Sequence, residues 1–197
     1  MGSDTKLIIE NREEHISDWL MAEYSHSGSI WPGTLFTNVR DREMTGLLQS
    51  AGTPVKEDVL EYTGGKRCII LDHQSQVELK PGDFENADYI VVGGILGYDR
   101  PKGRTRELIT KRFDPSANLF RNMGSIQLTI DSAVFVARAI FLGAALSELD
   151  ITSEVELMWD DMHSTLLPYG YPIVDGKVLM TPGLVDIIRQ SNSQRLA

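Results

Sequence analysis

A parallel α/β fold is predicted for this 197-residue chain by three features of its sequence. Short β-branched runs alternate with helical stripes, the central runs lack a polar face, and two glycine turns lie where apolar runs end. Strands without a polar face belong in a parallel sheet with helices packed on both sides.

Lys6-Leu7-Ile8-Ile9-Glu10 reads as a buried strand. Ile16, Trp19, Leu20 and Tyr24 recur at the spacing of an amphipathic helix. Glu13 and Glu14 fall near the start of that helix, where carboxylates meet its dipole favourably. Residues 34–39 predict a second strand, and 41–50 a short helix stopped before Gly52 and Pro54. Residues 67–72 and 88–92, β-branched and bounded by turn residues, predict central strands. A helix over 105–113, a short strand over 118–121 and a long helix over 129–149 continue the alternation. Farther on, 154–159 reads as a strand, and 173–179 as a hairpin with Asp175-Gly176 at its turn. Thr181-Pro182 supplies a cap and first-turn proline for a final helix. One domain over 1–197 is expected, with 150–197 a C-terminal extension of strand, hairpin and helix packed on it.

The hydrophobic (42%) and charged (24%) fractions leave little room for long disorder. Cys68 has no partner for an internal disulfide and sits in an apolar run, which fits a reducing cytoplasm. No secretory signal is expected behind Met1-Gly2-Ser3-Asp4-Thr5-Lys6, and no membrane partner. The most apolar stretch, 133–146, is broken by Arg138 and is shorter than the roughly 20 residues a bilayer span needs. A net charge of -9 disfavours a phosphate-rich partner. The local cluster Arg100, Lys102, Arg104, Arg106, Lys111 and Arg112 either meets a polyanion or forms a solvated helix face.

In doubly wound sheets ligands bind beyond the carboxyl ends of the strands. Glu10, Asp72 and Gly93-Gly94 close strands here, and a second glycine turn at Met123-Gly124 opens the long helix, so two turns on one sheet could grip one cofactor. Gly93, Gly94 and Gly97 do not form G-x-G-x-x-G, no Gly-Lys-Ser/Thr ends a phosphate loop, and no G-x-S-x-G is present. His15, His26, His73 and His163 lack ligand spacing, so no metal site is expected.

Three groups of residues resemble a known family. They are Lys6-Leu7-Ile8-Ile9-Glu10-Asn11 with Glu13-Glu14 and Asp18-Trp19 to Glu23-Tyr24; Gly93-Gly94-Ile95-Leu96-Gly97 with Arg104-Thr105-Arg106-Glu107-Leu108; and Met123-Gly124 to Gln127-Leu128-Thr129 with Asp131-Ser132-Ala133. Together they resemble the SPOUT-class methyltransferases once called predicted SAM-dependent RNA methyltransferases, which include a eukaryotic enzyme acting on an arginine of a small-subunit ribosomal protein. The resemblance extends through 168–188 and so covers most of the chain.

It implies a SPOUT-type sheet whose C-terminal part is threaded into a trefoil knot, with S-adenosylmethionine held in a bent form by the knotted loops. The loop residues would be Gly93, Gly94, Ile95, Leu96 and Gly97, with Met123, Gly124, Ile126, Gln127, Leu128 and Thr129 opposite them. Their backbone would hold the adenine and amino-acid moieties, and Leu96, Ile126 and Leu128 would form apolar walls. The pattern departs at His73-Gln74, where the family has a Pro-Arg pair, at Tyr98-Asp99-Arg100, in place of an Asp-His-Pro-like turn, and at Asn122-Met123-Gly124, in place of Arg-Leu-Gly. Backbone contacts tolerate such changes, so they bear on the substrate rather than the cofactor.

Transfer from a sulfonium is an in-line displacement that needs placement and exclusion of water, and no metal. An arginine acceptor calls for carboxylates around it. Glu10 and Asp72 are expected to orient that acceptor, with Asp99 and Asp131 as substrate-binding groups beside the loops, and the acidic chain to attract a basic ribosomal protein. The competing role for Glu13, Glu14 and Asp131 is helix capping, and for Asp72 a turn. The alternative substrate is rRNA or tRNA, with Arg104 acting near the target base; a further alternative is a non-catalytic SAM-binding protein of ribosome assembly. A monomer is expected from the arginine-modifying relative, against the dimers common among SPOUT enzymes.

Overall fold

The computed structural model describes residues 4–97 and 103–195. Six strands, β1 (Lys6–Asn11), β2 (Leu35–Thr37), β3 (Thr53–Pro54), β4 (Cys68–Leu71), β5 (Tyr89–Gly94) and β6 (Leu119–Arg121), pair in the order β3-β2-β1-β5-β4-β6. Every pairing in this sheet is parallel. The alternation of side chains sends Leu7, Ile9, Ile69, Ile90 and Val92 to one core, and Ile8, Cys68, Ile70 and Val91 to the other. Burial on both faces is why these strands carry no polar stripe.

Helix α1 (Asp18–Ile30) and helix α5 (Ile130–Phe141) pack on the first face. Ser17 caps α1 by accepting from the Leu20 N–H at 3.1 Å, so Glu13 and Glu14 lie before the helix rather than in its first turn. Asp41 caps α2 (Arg42–Leu48), and Asp58 caps α3 (Val59–Thr63), a five-residue helix too short to leave a readable stripe. The helix expected over 105–113 is instead α4 (Arg104–Leu108) followed by a 3-10 turn at Thr110–Arg112. Ile109 breaks it at φ -125° and is fully buried in the second core. Burying that side chain contributes about 1.5–3 kcal/mol, more than the roughly 1 kcal/mol net of a helical hydrogen bond.

The long helix expected over 129–149 stops at Phe141, because Gly143 takes φ 109° and turns the chain toward a short 3-10 turn at Leu146–Glu148. The C-terminal part forms a three-stranded antiparallel sheet of β7 (Ile151–Thr152), β10 (Tyr171–Val174) and β11 (Lys177–Val178). Asp175 and Gly176 both have positive φ at its hairpin turn, as the sequence predicts. A second hairpin joins β8 (Val155–Met158) to β9 (Ser164–Leu167); β9 has no counterpart in the sequence reading. Helix α6 (Leu184–Arg195) begins later than Thr181-Pro182, since Thr181 donates its hydroxyl to Asp131 Oδ2 at 2.6 Å instead of capping, and Gly183 (φ 79°) intervenes. No helix among the described residues is long and apolar enough to cross a membrane.

Two carboxylates are buried where α1 meets the start of α5. Glu23 accepts from the Ile130 N–H at 2.9 Å and from Trp19 Nε1 at 2.5 Å. Asp131 accepts from Thr181, Thr129 and the Ser132 N–H, with His26 Nδ1 at 2.8 Å. Burial, then the neighbouring Asp131, push Glu23 from 4.5 up to about 8. The folded state therefore holds a proton that the unfolded chain has released between these values. Stability from this group is present below the unfolded value and is lost as pH rises through the folded one. Melting temperatures followed from pH 5 to pH 8.5 should fall in the wild type, and Glu23→Gln should flatten that decline; equal slopes would refute the assignment.

Candidate functional site

The C-terminal ends of β4, β5 and β6 open onto a cleft of about 980 Å³, its mouth included. Asp72, His73 and Gln74 follow β4 into it; Ile95, Leu96, Gly97 and then Gly103 to Thr105 follow β5; Asn122, Met123, Gly124 and 126–130 follow β6. This is where a parallel sheet places a ligand, since the loops leave the strands there in different directions. Leu96, Ile126 and Leu128 supply apolar wall, and Asp72, Arg104 and Arg121 supply charge.

The two glycine loops line this one cleft. Gly93, Ile95, Leu96 and Gly97 come from the first, and Met123, Gly124, Ile126, Gln127, Leu128 and Thr129 from the second. Gly124 needs its left-handed backbone at φ 89°. A Cβ at Gly97 would run into the Tyr169 ring, so the segment after β9 closes against the first loop. Gly170 extends that closure by pairing with Leu128 and donating its N–H to the Gln127 carbonyl at 2.8 Å.

Gly94 departs from expectation, for it does not line the cleft. A Cβ there would run into the Tyr24 hydroxyl, which donates to Asn11 Oδ1 at 2.9 Å, and the Gly94 carbonyl accepts from the Arg12 N–H. Glu10 also lies outside the lining. Its Oε2 accepts from Thr37 Oγ1 at 2.5 Å and from the Val59 N–H at 3.0 Å, and Arg12 Nη2 stands 2.8 Å from Oε1. Burial raises the pKa of this carboxyl, with Thr37 and Arg12 opposing. Asp131 is likewise absent from the lining, held in the α1–α5 contact. Asp99 lies outside the described residues.

Asp72 and Arg104 do line the cleft. Asp72 is buried; Oδ1 accepts from the Gln74 N–H at 2.8 Å and Oδ2 from Arg106 Nε at 3.0 Å. Arg104 Nη1 donates to Glu13 Oε1 at 2.9 Å, and the same oxygen accepts from the Leu96 N–H at 3.0 Å. Glu13 thus ties the end of β1 to the loop after β5. Its position before a helix points to capping in the sequence, and only the fold brings it beside Leu96.

The described members of the basic cluster are paired internally. Arg104 pairs with Glu13, Arg106 with Asp72, Lys111 with Glu107 and Arg112 with Asp58, while Arg100 and Lys102 lie outside the described residues. Arg121, in the cleft, is held by both oxygens of Asp83. Among the described residues no group of three or more His, Cys, Asp or Glu side chains is placed to hold a metal ion.

The sequence model of the family "Protein arginine N-methyltransferase SFM1-like" matches residues 6–195. The chain belongs to the SFM1-like family. The protein arginine N-methyltransferase SFM1 of Saccharomyces cerevisiae is 28% identical to it, over 97% of this chain and 97% of the yeast one. The crystal structure of yeast SFM1 complexed with SAM has a TM-score of 0.85 to this chain at 26% identity, covering 96% of this chain and 92% of that one. The complex with SAH gives 0.84, covering 93% and 94%. A Trm10 from Thermococcus kodakaraensis, 13% identical, shares the fold alone, with a TM-score of 0.55 over 73% of this chain and 96% of that one. This SFM1-like chain accordingly has the SPOUT-type α/β fold that its sequence predicts.

The close approach at Gly94 makes it a position of the fold. Gly94→Ala should lower unfolding free energy by about 1–3 kcal/mol through overpacking against Tyr24, measured by urea denaturation; an unchanged midpoint would contradict the close contact.

Proposed function

We propose that this chain transfers a methyl group from S-adenosylmethionine to an arginine of a basic ribosomal protein. The single observation that carries the reading is that the two glycine loops wall one cleft with the buried carboxylate Asp72 on its lining. The cleft suits the cofactor in chemistry, for apolar walls adjoin a charged end. Leu96, Ile126 and Leu128 would hold the apolar parts, and the backbone of 95–97 and 123–129 the polar ones. The bound cofactor supplies an electrophilic methyl group on a sulfonium.

The chain's own residues prepare the acceptor. Asp72 already binds one guanidinium, that of Arg106, and each carboxylate oxygen has lone-pair capacity for more than one donor. A substrate guanidinium held on Asp72 gains a fixed orientation, and the carboxylate favours the proton's departure from the nitrogen that gains the methyl. Glu13 fixes Leu96 and Arg104 together, which keeps the first loop in its shape before ligand arrives. Tyr169 backs the first loop at Gly97, and Gly170 pairs with Leu128 of the second, which holds the two loops in place.

A net charge of -9 supports a basic protein acceptor through long-range attraction. The internal pairing of Arg104, Arg106, Lys111 and Arg112 weighs against a phosphate surface at the cleft. To the same proposal belong the trefoil threading of the segments that wall the cleft, one methyltransferase domain with 150–197 as its extension, action as a monomer, and a cytoplasmic setting that suits the buried thiol of Cys68.

Incubation with tritiated cofactor and separated small-subunit ribosomal proteins and RNA tests the acceptor: label is expected on arginine in a protein, Asp72→Asn should lower kcat/KM about 100-fold with cofactor affinity kept, and label confined to RNA would overturn the reading. Glu13→Ala should raise the calorimetric Kd for S-adenosylmethionine about tenfold, or about 1.4 kcal/mol. An unchanged Kd would remove Glu13 from the site.

A further inference from the structure

Beside the second glycine loop lies a buried polar cluster that the transfer step does not use. It draws on α1, the start of α5, β10 and the segment before α6. Glu23 of α1, 2% exposed, accepts from the Ile130 N–H at 2.9 Å. Ile130 is the first residue of α5, so this N–H is one of those that a helix leaves without a partner of its own. Thr129, the capping residue, accepts from the Ser132 N–H instead. Thr129 and Ile130 both line the cleft, whereas Glu23 does not. A carboxyl on one helix thus fixes the backbone of a cleft wall that belongs to another.

The cluster is short of positive charge. The titratable groups around Glu23 among the described residues are Asp131 from α5, Tyr171 from β10 and, on α1 itself, Tyr24 and His26, the last paired with Asp131 at 2.8 Å. Thr181, from the segment before α6, brings only a hydroxyl, which it donates to Asp131. The Tyr171 hydroxyl is buried with no hydrogen-bond partner among the described residues. Burial, then Glu23 and Asp131, push its phenol above the ordinary value, so it adds no charge. No Lys or Arg is in this set to offset a second anion beside Asp131.

We infer that Glu23, which lies off the cleft lining, is a positioning residue for the methyl donor, holding the wall at Thr129 and Ile130 through the Ile130 N–H. The inference rests on the reading that this cleft binds S-adenosylmethionine and adds to it a group that acts from behind the wall. With burial and then Asp131 raising its carboxyl to about 8, Glu23 carries a proton at neutral pH and still accepts from Ile130. Loss of that proton sets two buried carboxylates against each other. The Ile130 N–H then follows Glu23 or is left without its acceptor, and either course disturbs the wall. Affinity for the donor therefore declines as pH rises through about 8.

Calorimetric titration with 5′-methylthioadenosine from pH 7 to pH 9 tests this, because that probe lacks the donor's amino group, which itself titrates at roughly 8. The wild-type Kd should rise about tenfold over the interval, as the competent form falls to about a tenth. Glu23→Gln keeps an acceptor oxygen without the charge and should hold its Kd level over the same range. Asp131→Asn removes the opposing anion, so the rise should begin at lower pH, a shift that a merely structural role would not produce. Circular dichroism at each pH separates loss of binding from loss of fold. A wild-type Kd that stays flat, or a Glu23→Gln curve that rises like the wild type's, overturns the inference and leaves the cofactor reading standing. A wild type that binds neither the probe nor S-adenosylmethionine at pH 7 overturns both.

Discussion

Where β5 leaves the sheet, the Tyr24 hydroxyl fills the place that a side chain at Gly94 would need, and donates to Asn11 at the end of the neighbouring β1. This contact couples three elements. β1 and β5 pair residue by residue from Lys6–Tyr89 to Asn11–Gly94, so both strands finish at one level, and α1 is locked against that level by a fully buried tyrosine. Burial, with nearby carboxylates, pushes the Tyr24 phenol well above its ordinary pKa, so the hydroxyl remains a donor. Beyond Gly94 the chain leaves the ladder, and Leu96 meets Glu13 from the segment that follows β1. The first wall of the cleft therefore derives its position from the strand ends rather than from contacts with a ligand.

Electrostatics divides the molecule in the same way. Among the described residues, the arginines near the cleft are tied to carboxylates: Arg104 to Glu13, Arg106 to Asp72, Arg121 to Asp83. Glu23 and Asp131 lie in the α1–α5 contact, joined to the segment before α6 through Thr181. The carboxylates of the C-terminal hairpin are exposed. Carboxylates thus stand in three settings, which their sequence positions do not distinguish, because each setting depends on which element the fold brings opposite.

That limit explains what was legible beforehand. The strands at 67–72 and 88–92 could be read because double-sided burial leaves a local trace in every residue, and the Asp175-Gly176 turn because its backbone restricts residue type. The two glycine loops were legible as a pair, and all their named residues except Gly94 meet in one cleft. Helix ends were not: Ile109 breaks its helix for the sake of a distant core, and Gly143 ends α5 inside an apolar run. Glu13 shows the larger difficulty. Beside a helix start it reads as a dipole partner, and its partners Leu96 and Arg104 lie 83 and 91 residues away. Glu10 differs in the opposite sense: its place at a strand end suggested the site, whereas it lies off the cleft lining with Thr37, Val59 and Arg12 beside its carboxylate.

A site that selects a guanidinium must also manage the protein's own arginines, since each is a competitor at far higher effective concentration than a substrate in solution. Arg104 and Arg121 meet this demand by pairing with Glu13 and Asp83. Arg106 does not, for it rests on Asp72 itself, with its side chain 36% exposed. On the arginine reading, an incoming guanidinium shares Asp72 with Arg106 or shifts it. The half-exposed setting makes either course inexpensive, because the surface end of such a pair is screened by water. Asp72 gains from the arrangement in the absence of substrate: a carboxylate at 2% exposure would otherwise carry an uncompensated buried charge. On that reading, Arg106 holds the Asp72 carboxylate in one orientation until a second guanidinium arrives.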